Sequence, residues 1–206
     1  MVGRLGAVVG ILLCLGMQAV NSDFFPPRIS ISQYGVGPRG WIFTCWAVGL
    51  AVAAKALQVG SGARRYGVSR WITVGGLGLV VMAVVRTDAD GLQQSLHAKV
   101  HMGASFVALA VLPIGMALAM NQARARWRRT GWVLVVLIAG SLIMVLASAA
   151  GMSTLGLDGP DSWALWQALA VSMDMVFVGA FAISTFPGQQ AGPPSLDGDT
   201  ATLGKR

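Results

Sequence analysis

The side chains that can carry protons or bind a metal are crowded into one stretch of this chain, RTDADGLQQSLHAKVH at residues 86–101. It holds both histidines of the sequence, His97 and His101, together with Asp88 and Asp90. The histidines are four residues apart, so on a helix they lie on one face about one turn apart. Because imidazole exchanges protons near neutral pH and binds divalent metals, this stretch is the first candidate for a functional site.

Three interpretations of the histidine pair are open. In the first, the pair binds a divalent metal, and loop carboxylates complete the site: Asp88, Asp90 or Asp23. The zinc-protease motif, however, needs a glutamate where HAKVH has Ala98, and the chain contains no glutamate. In the second, the pair belongs to a polar pocket without metal. In the third, it only forms hydrogen bonds that stabilise the structure.

A second isolated ionisable group is Asp174, which lies about halfway along the last apolar run in the segment SMDMVF. A charge at the centre of a membrane costs about 2.5–3.5 kcal/mol on insertion scales, so such a group is usually paired, hydrated or protonated. Asp174 is therefore either a carboxylate that carries a proton or binds a substrate, or a protonated acid that is hydrogen-bonded between helices.

The composition indicates that membrane helices position these groups. Hydrophobic residues make up 55% of the chain and charged residues 11%, and the mean hydropathy is +0.66. A soluble domain carries about 25% charged residues. The net charge is +7, but the basic residues fall in short gaps between apolar runs. That arrangement suits orientation in a bilayer and argues against nucleic acid as a partner.

Six apolar runs predict the fold, since a spanning helix needs about 20 residues. They are continuously apolar rather than alternating, which favours helices over barrel strands. We predict an all-α, polytopic bundle with spans at residues 5–20, 41–59, 71–85, 97–120, 131–150 and 163–186. The first run is expected to be a retained helix rather than a secretory signal, because QAVNSD is a poor cleavage site. Residues 1–186 form one domain, and the Pro- and Gly-rich residues 187–206 a disordered cytoplasmic tail.

The basic residues of the loops predict the orientation of the bundle. One side carries eleven: Arg4, Lys55, Arg64, Arg65, Arg70, Arg124, Arg126, Arg128, Arg129, Lys205 and Arg206. The other side carries four: Arg28, Arg39, Arg86 and Lys99. The positive-inside rule places the first side, with both termini, in the cytoplasm. The protein is then a multi-pass protein of the cytoplasmic membrane, and the loop at residues 86–96 faces outwards.

Two local patterns predict packing and capping. Small residues allow helix backbones to approach closely in a membrane, and the candidates here are Gly6, Gly10, Gly75, Gly76 and Gly78. In the segment GLDGPDSW, Asp161 or Ser162 is placed to cap the start of the sixth helix.

Three short motifs carry a family resemblance: ISISQYGVGPRGWIF entering the second helix, RTD closing the third, and VHMGASF opening the fourth. The chain resembles an integral-membrane family catalogued as domain of unknown function 998. The resemblance implies a six-helix bacterial membrane protein whose outer loops hold the recurring polar residues. By match, the family positions are Ser30, Ser32, Gly35, Asp88 and His101. Arg86 stands where the family usually has a proline.

These observations predict an integral membrane protein with an outward-facing polar pocket. The proposed lining comprises Asp88, Asp90, His97 and His101, with Tyr34, Arg86 and Asp174 as further binding candidates. One hypothesis is an enzyme that acts on a lipid or isoprenoid, with His101 as acid or base. A second is a small transporter or proton-coupled carrier that uses Asp174, and a third is a non-catalytic accessory subunit. The expected partners are the bilayer and a lipid or small-molecule ligand. A divalent metal is the one cofactor that the residues suggest.

Overall fold

The part of the chain that the structure describes forms six long helices. A computed structural model describes residues 1–20, 29–62, 66–89, 94–123 and 125–185. The helices are α1 Val2–Val20, α2 Gly40–Gly60, α3 Tyr66–Val84, α4 Leu96–Ala123, α5 Ala125–Ala149 and α6 Gly159–Ser184, with a short 3₁₀ helix at Ile31–Gly35. All six α-helices are long and apolar enough to cross a membrane. The predicted fold, an all-α bundle of six membrane-spanning helices, is confirmed.

The surface of the bundle explains why these sequences form helices without a polar face. Large apolar side chains point outwards on every helix; Leu12, Val136 and Val176 are each more than 60% exposed. In a bilayer this surface contacts lipid, and the backbone polar groups must then be paired within each segment, as they are in a helix.

Helices that are neighbours in sequence pack against each other, and α6 also packs against α1 and α4. At one end of the bundle, a guanidinium nitrogen of Arg4 donates a hydrogen bond of 2.7 Å to the carbonyl oxygen of Thr185. Thr185 is the C-cap residue of α6. A cation suits this place because the last carbonyl groups of a helix carry partial negative charge. The contact therefore joins the first helix to the last.

Glycines bring α3 and α4 into backbone contact. A Cβ atom at Gly75 would lie 2.6 Å from the backbone nitrogen of Leu112, and one at Gly78 would lie 2.9 Å from the carbonyl oxygen of Ala104. The predicted close approach is thus confirmed at Gly75 and Gly78. It is looser at Gly76, where the nearest atom would be 3.7 Å away.

A glycine also brings α1 and α2 close together. A Cβ at Gly6 would come within 2.9 Å of the Cβ of Ala53, whereas at Gly10 the nearest atom is 3.9 Å away. Gly6 is therefore a contact position, as predicted, and Gly10 leaves room for a side chain.

The start of α6 differs from the prediction that Asp161 or Ser162 caps it. The helix begins at Gly159, so the N-cap position belongs to Asp158, whose side chain makes no capping hydrogen bond. Pro160 at the second helical position allows this earlier start, because the first backbone N–H groups of a helix have no partner within it.

Ser162 has another role, in a hydroxyl network that joins the end of α5 to the start of α6. Its side chain is fully buried. Its oxygen lies 2.7 Å from Oγ of Ser148 and also contacts Oγ1 of Thr154. The indole nitrogen of Trp166 donates to the same Thr154 oxygen at 2.7 Å. The connection between the two helices is therefore held by side chains as well as by its own backbone.

Some predictions lie outside the described residues, among them the tail at residues 187–206 and the loop position Asp90. The side of the membrane on which the termini lie stays a prediction from the basic residues.

The contact between α3 and α4 can be tested by adding a single methyl group. Gly75→Ala should destabilise the protein by about 1–3 kcal/mol, because the methyl group would overlap the backbone of α4. Gly140→Ala is the matched control, since a Cβ there meets nothing within 4 Å. Thermal unfolding in a mild detergent measures both. Equal stability of the two variants would contradict the close contact.

Candidate functional site

His101 lies in the second turn of α4 and is buried, with 2% of its surface exposed. Its Nδ1 atom is 2.6 Å from the carbonyl oxygen of Val85, the first residue after α3. A carbonyl oxygen can only accept a hydrogen bond, so Nδ1 carries the proton. In the neutral ring, Nε2 then holds the lone pair and is the nitrogen able to accept a proton or bind a ligand.

A cleft lies beside this ring, between α4, α5 and α6. Its lining is mostly apolar and comprises Ser32 of the 3₁₀ helix, His101, Met102, Ser105, Phe106 and Leu109 of α4, Leu142 and Val145 of α5, and Trp163 and Gln167 of α6. The free space within it has a volume of about 20 Å³. This is room for about one water molecule.

Three polar atoms of the lining are buried without a hydrogen-bond partner in the described part of the chain. They are Nε2 of His101, Nε1 of Trp163 and Oε1 of Gln167. The indole nitrogen is a donor, while the amide oxygen and the imidazole lone pair are acceptors. A buried polar group left unpaired costs about 1–3 kcal/mol. A water molecule, with two donors and an acceptor oxygen, has the hydrogen-bonding capacity for all three, whereas a ligand hydroxyl can accept from the indole and donate to one of the two acceptors.

Two aromatic contacts and one glycine hold the His101 ring in place. The ring of Phe43 on α2 lies 6.1 Å from the imidazole, centroid to centroid. Phe43 in turn lies 5.6 Å from the ring of Trp46, which is buried. A Cβ at Gly35 would be 3.0 Å from Cδ1 of Phe43. The glycine at position 35 therefore leaves room for the ring that packs against His101.

Ser30, the N-cap residue of the 3₁₀ helix, and Ser32 within that helix form a second polar contact beside the cleft. Ser30 and Ser32 are buried, and their hydroxyl oxygens are 3.0 Å apart. The side-chain oxygen of Gln33 accepts a 2.7 Å hydrogen bond from the backbone N–H of Ser30. Its nitrogen donates a 3.4 Å bond to the carbonyl oxygen of Ala89, which follows α3. The segment before α2 is thus tied to the connection that leads into α4.

Asp88 anchors the start of α4. Its two carboxylate oxygens accept hydrogen bonds from the backbone N–H of Ser95 at 3.0 Å and from the Ser95 hydroxyl at 2.5 Å. The Ser95 hydroxyl oxygen also accepts from the N–H of Ala98 at 3.1 Å, as a helix N-cap does. The bond from the Ser95 hydroxyl, followed by the bond from its N–H, lowers the pKa of Asp88 below its ordinary value. Asp88 thereby fixes the helix that carries His101.

The structure disperses the other predicted site residues. His97 and Arg86 are exposed, although His97 is one turn from His101. Tyr34 lines a different cleft of about 470 Å³ together with Gln33 and Arg39. Of the predicted lining and binding residues that the structure describes, only His101 lines the cleft beside it, where it is joined by Ser32, a position named through the resemblance. Asp90 lies outside the described residues.

The described residues contain no group of three or more His, Cys, Asp or Glu side chains close enough to hold a metal ion. The carboxylates that the metal hypothesis needs from Asp90 and Asp23 lie outside those residues. A metal site therefore stays a prediction.

Asp174 is 4% exposed, and its Oδ1 atom has no hydrogen-bond partner within the described ranges. It is close enough to Cys14 of α1 for the two groups to interact electrostatically. It does not contribute to the lining of the cleft beside His101. His101 and Asp174 therefore do not share this cleft.

Sequence reasoning missed Trp163 and Gln167. A signal existed, because Gln167 is a polar amide one turn after Trp163 inside a membrane helix. The pattern does not say which neighbouring helix the amide faces, so their meeting with His101 becomes visible only in the packed bundle.

One comparison with known proteins gives a match. The profile of the family described as "Protein of unknown function (DUF998)" matches residues 4–184, from the start of α1 to the end of α6. No curated protein and no solved structure matches the chain.

The hydrogen bonds of Asp88 predict a pH dependence. Because its pKa is lowered in the folded state, its contribution to stability is complete above the unfolded pKa of about 3.9 and is lost as the pH falls through the folded value. The difference in melting temperature between wild type and Asp88→Asn should therefore be constant from neutral pH to about pH 5 and shrink below about pH 4. Thermal unfolding in a nonionic detergent measures it.

Asp158→Asn is the control for this experiment, since the Asp158 side chain makes no capping hydrogen bond. It should give no such pH-dependent difference. A difference of equal size in both variants would show that the bonds to Ser95 are not its cause.

Proposed function

This chain belongs to the DUF998 family, a family of proteins of unknown function, and we propose that it is a membrane enzyme that acts on a lipid or isoprenoid. The observation that supports this most is the buried Nε2 atom of His101, which has no partner in the described residues. It stands at a mostly apolar cleft between membrane helices. A base in such a place is shielded from bulk water and borders an apolar cleft that suits an amphiphile.

In this proposal, His101 acts as the general base. A hydroxyl group of the substrate donates its hydrogen bond to Nε2, and the indole N–H of Trp163 donates to the oxygen of the same group. Proton transfer to a positioned base accelerates a reaction by about 100- to 10,000-fold. The hydrogen bond from Nδ1 to Val85 holds the ring while Nε2 gains and loses the proton.

The apolar part of the substrate would lie along the cleft. Met102 and Phe106 line the cleft and are only partly buried. Since the space beside His101 is about 20 Å³, entry of a chain requires these side chains to move. Methionine has three rotatable bonds and adapts readily to such a change.

The outward-facing position of the cleft is part of the proposal. It is supported by the excess of basic residues at the opposite end of the bundle. A cysteine introduced at Asp90 should react with an impermeant reagent added to intact cells, and protection from that reagent would contradict the orientation.

A proton-coupled carrier is the second candidate, because Oδ1 of Asp174 is buried and lacks a partner in the described ranges. It has less support, since Asp174 is sealed between helices and does not line the cleft beside His101. A substrate in that cleft would not meet a carboxylate that titrates elsewhere in the bundle.

Complementation of a deletion strain tests the enzyme proposal. His101→Ala should lower the flux through the altered lipid or metabolite by about 100-fold or more, because the general base is lost. His97→Ala, an exposed histidine on the same helix, should restore the wild-type profile. Lipid and metabolite profiling measures both, with the amount of folded protein compared by size-exclusion chromatography of tagged chains.

Asp174→Asn separates the two candidates. Under the enzyme proposal it restores the profile, and under the carrier alternative it does not. Full restoration by His101→Ala would remove His101 from the function altogether.

A further inference from the structure

Lys55 is a charged side chain within the apolar length of α2, and the proposed function does not use it. Its ammonium group donates hydrogen bonds to Oγ of Ser69 at 2.8 Å and to Oγ1 of Thr73 at 3.1 Å, both on α3. The two helices thus form a shallow polar site on an otherwise apolar surface.

This site faces lipid rather than the interior of the bundle. On α2, Val52 and Val59 lie on the same side as Lys55 and are 57% and 61% exposed. Thr73 is exposed as well, and Leu77 one turn further along α3 is 58% exposed. The ammonium group therefore lies at the edge of the surface that acyl chains cover.

The depth of Lys55 places the ammonium group near lipid headgroups. Lys55 is five residues before the last residue of α2, which corresponds to about 7.5 Å along the helix axis. The lysine stem can extend towards the interface over such a distance. Trp71, which is 42% exposed on α3, marks the same level, where tryptophan is typical of membrane interfaces.

In the described part of the chain, the ammonium group of Lys55 has no carboxylate among its hydrogen-bond acceptors. Within the described residues, both acceptors of its ammonium group are neutral hydroxyl oxygens. The sequence has eight acidic residues, all aspartates, and none lies between Asp23 and Asp88, the part of the sequence that contains α2 and α3. A charge at the edge of the hydrocarbon region is costly unless an opposite charge is near.

We infer that Lys55 and Ser69 bind the phosphate of an anionic phospholipid at the α2–α3 surface, while Thr73 holds the ammonium group in position. The ammonium group has three N–H donors, of which two are used by the hydroxyl groups, so one remains for a phosphate oxygen. The Thr73 hydroxyl donates to the carbonyl oxygen of Ser69 at 2.8 Å. The Ser69 hydroxyl keeps its own proton as a second donor, and the exposed Arg70 next to it adds positive charge.

Native mass spectrometry of the full chain tests this inference. The protein is taken from bilayers of phosphatidylcholine mixed with phosphatidylglycerol, and the retained lipids are counted. Wild type should retain phosphatidylglycerol in preference to phosphatidylcholine. Lys55→Met should lower that preference roughly fivefold, the effect expected for one basic residue near a membrane surface. Lys55→Arg keeps the charge and should keep the preference.

Lys99→Met is the matched control, because Lys99 is an exposed lysine at the opposite end of the bundle. It should leave the preference unchanged, and soluble glycerol phosphate should not displace the retained lipid. If Lys55→Met does not fold, Ser69→Ala takes its place and should lower the preference in the same direction. Undiminished preference in a folded Lys55→Met or Ser69→Ala variant would overturn the inference, as would equal losses in the Lys55 and Lys99 variants.

Discussion

The hydrogen bond from Nδ1 of His101 to the carbonyl oxygen of Val85 is the contact on which the rest of this site depends. Inside a membrane, a carbonyl group beyond the end of a helix needs a partner from the protein. His101 supplies that partner and thereby joins the end of α3 to the start of α4. The same bond decides the tautomer of the ring, so that Nε2 is the nitrogen left beside the cleft. The bond is possible because Gly75 and Gly78 let the two helix backbones come into contact.

Polar contacts near the cleft hold the connections between the helices in place. Asp88 holds the first turn of α4 through Ser95, and Gln33 ties the 3₁₀ helix to the residues after α3. The network of Ser148, Thr154 and Ser162 does the same between α5 and α6. These contacts fix the backbone around a cleft in which three polar atoms, on His101, Trp163 and Gln167, lack partners in the described residues. Such a preorganised, unsatisfied site in an apolar setting is what a ligand-binding or catalytic cleft requires.

Much of the fold was predictable because a bilayer imposes a simple requirement on length and composition. Continuous apolar runs of about 20 residues can satisfy their backbone in a membrane only as helices. The site was less predictable, since helical spacing says which residues share a face and not which neighbours cover them. His97 and His101 are one turn apart, yet one is exposed and the other buried. Trp163 and Gln167 reach the cleft because α6 packs on α4, a contact between segments far apart in sequence. Ser162 resembled a cap by its type and position, but the helix had already begun at Gly159.

The central claim, that His101 presents the lone pair of Nε2 to the cleft, can be measured directly by nitrogen NMR of the protein labelled with ¹⁵N-histidine in lipid bilayers. The His101 signals are assigned by their loss in a His101→Asn variant. We predict a directly bonded proton on Nδ1 and none on Nε2 at neutral pH. A proton on Nε2 with a bare Nδ1 would contradict the account, because Nδ1 could not then donate to Val85.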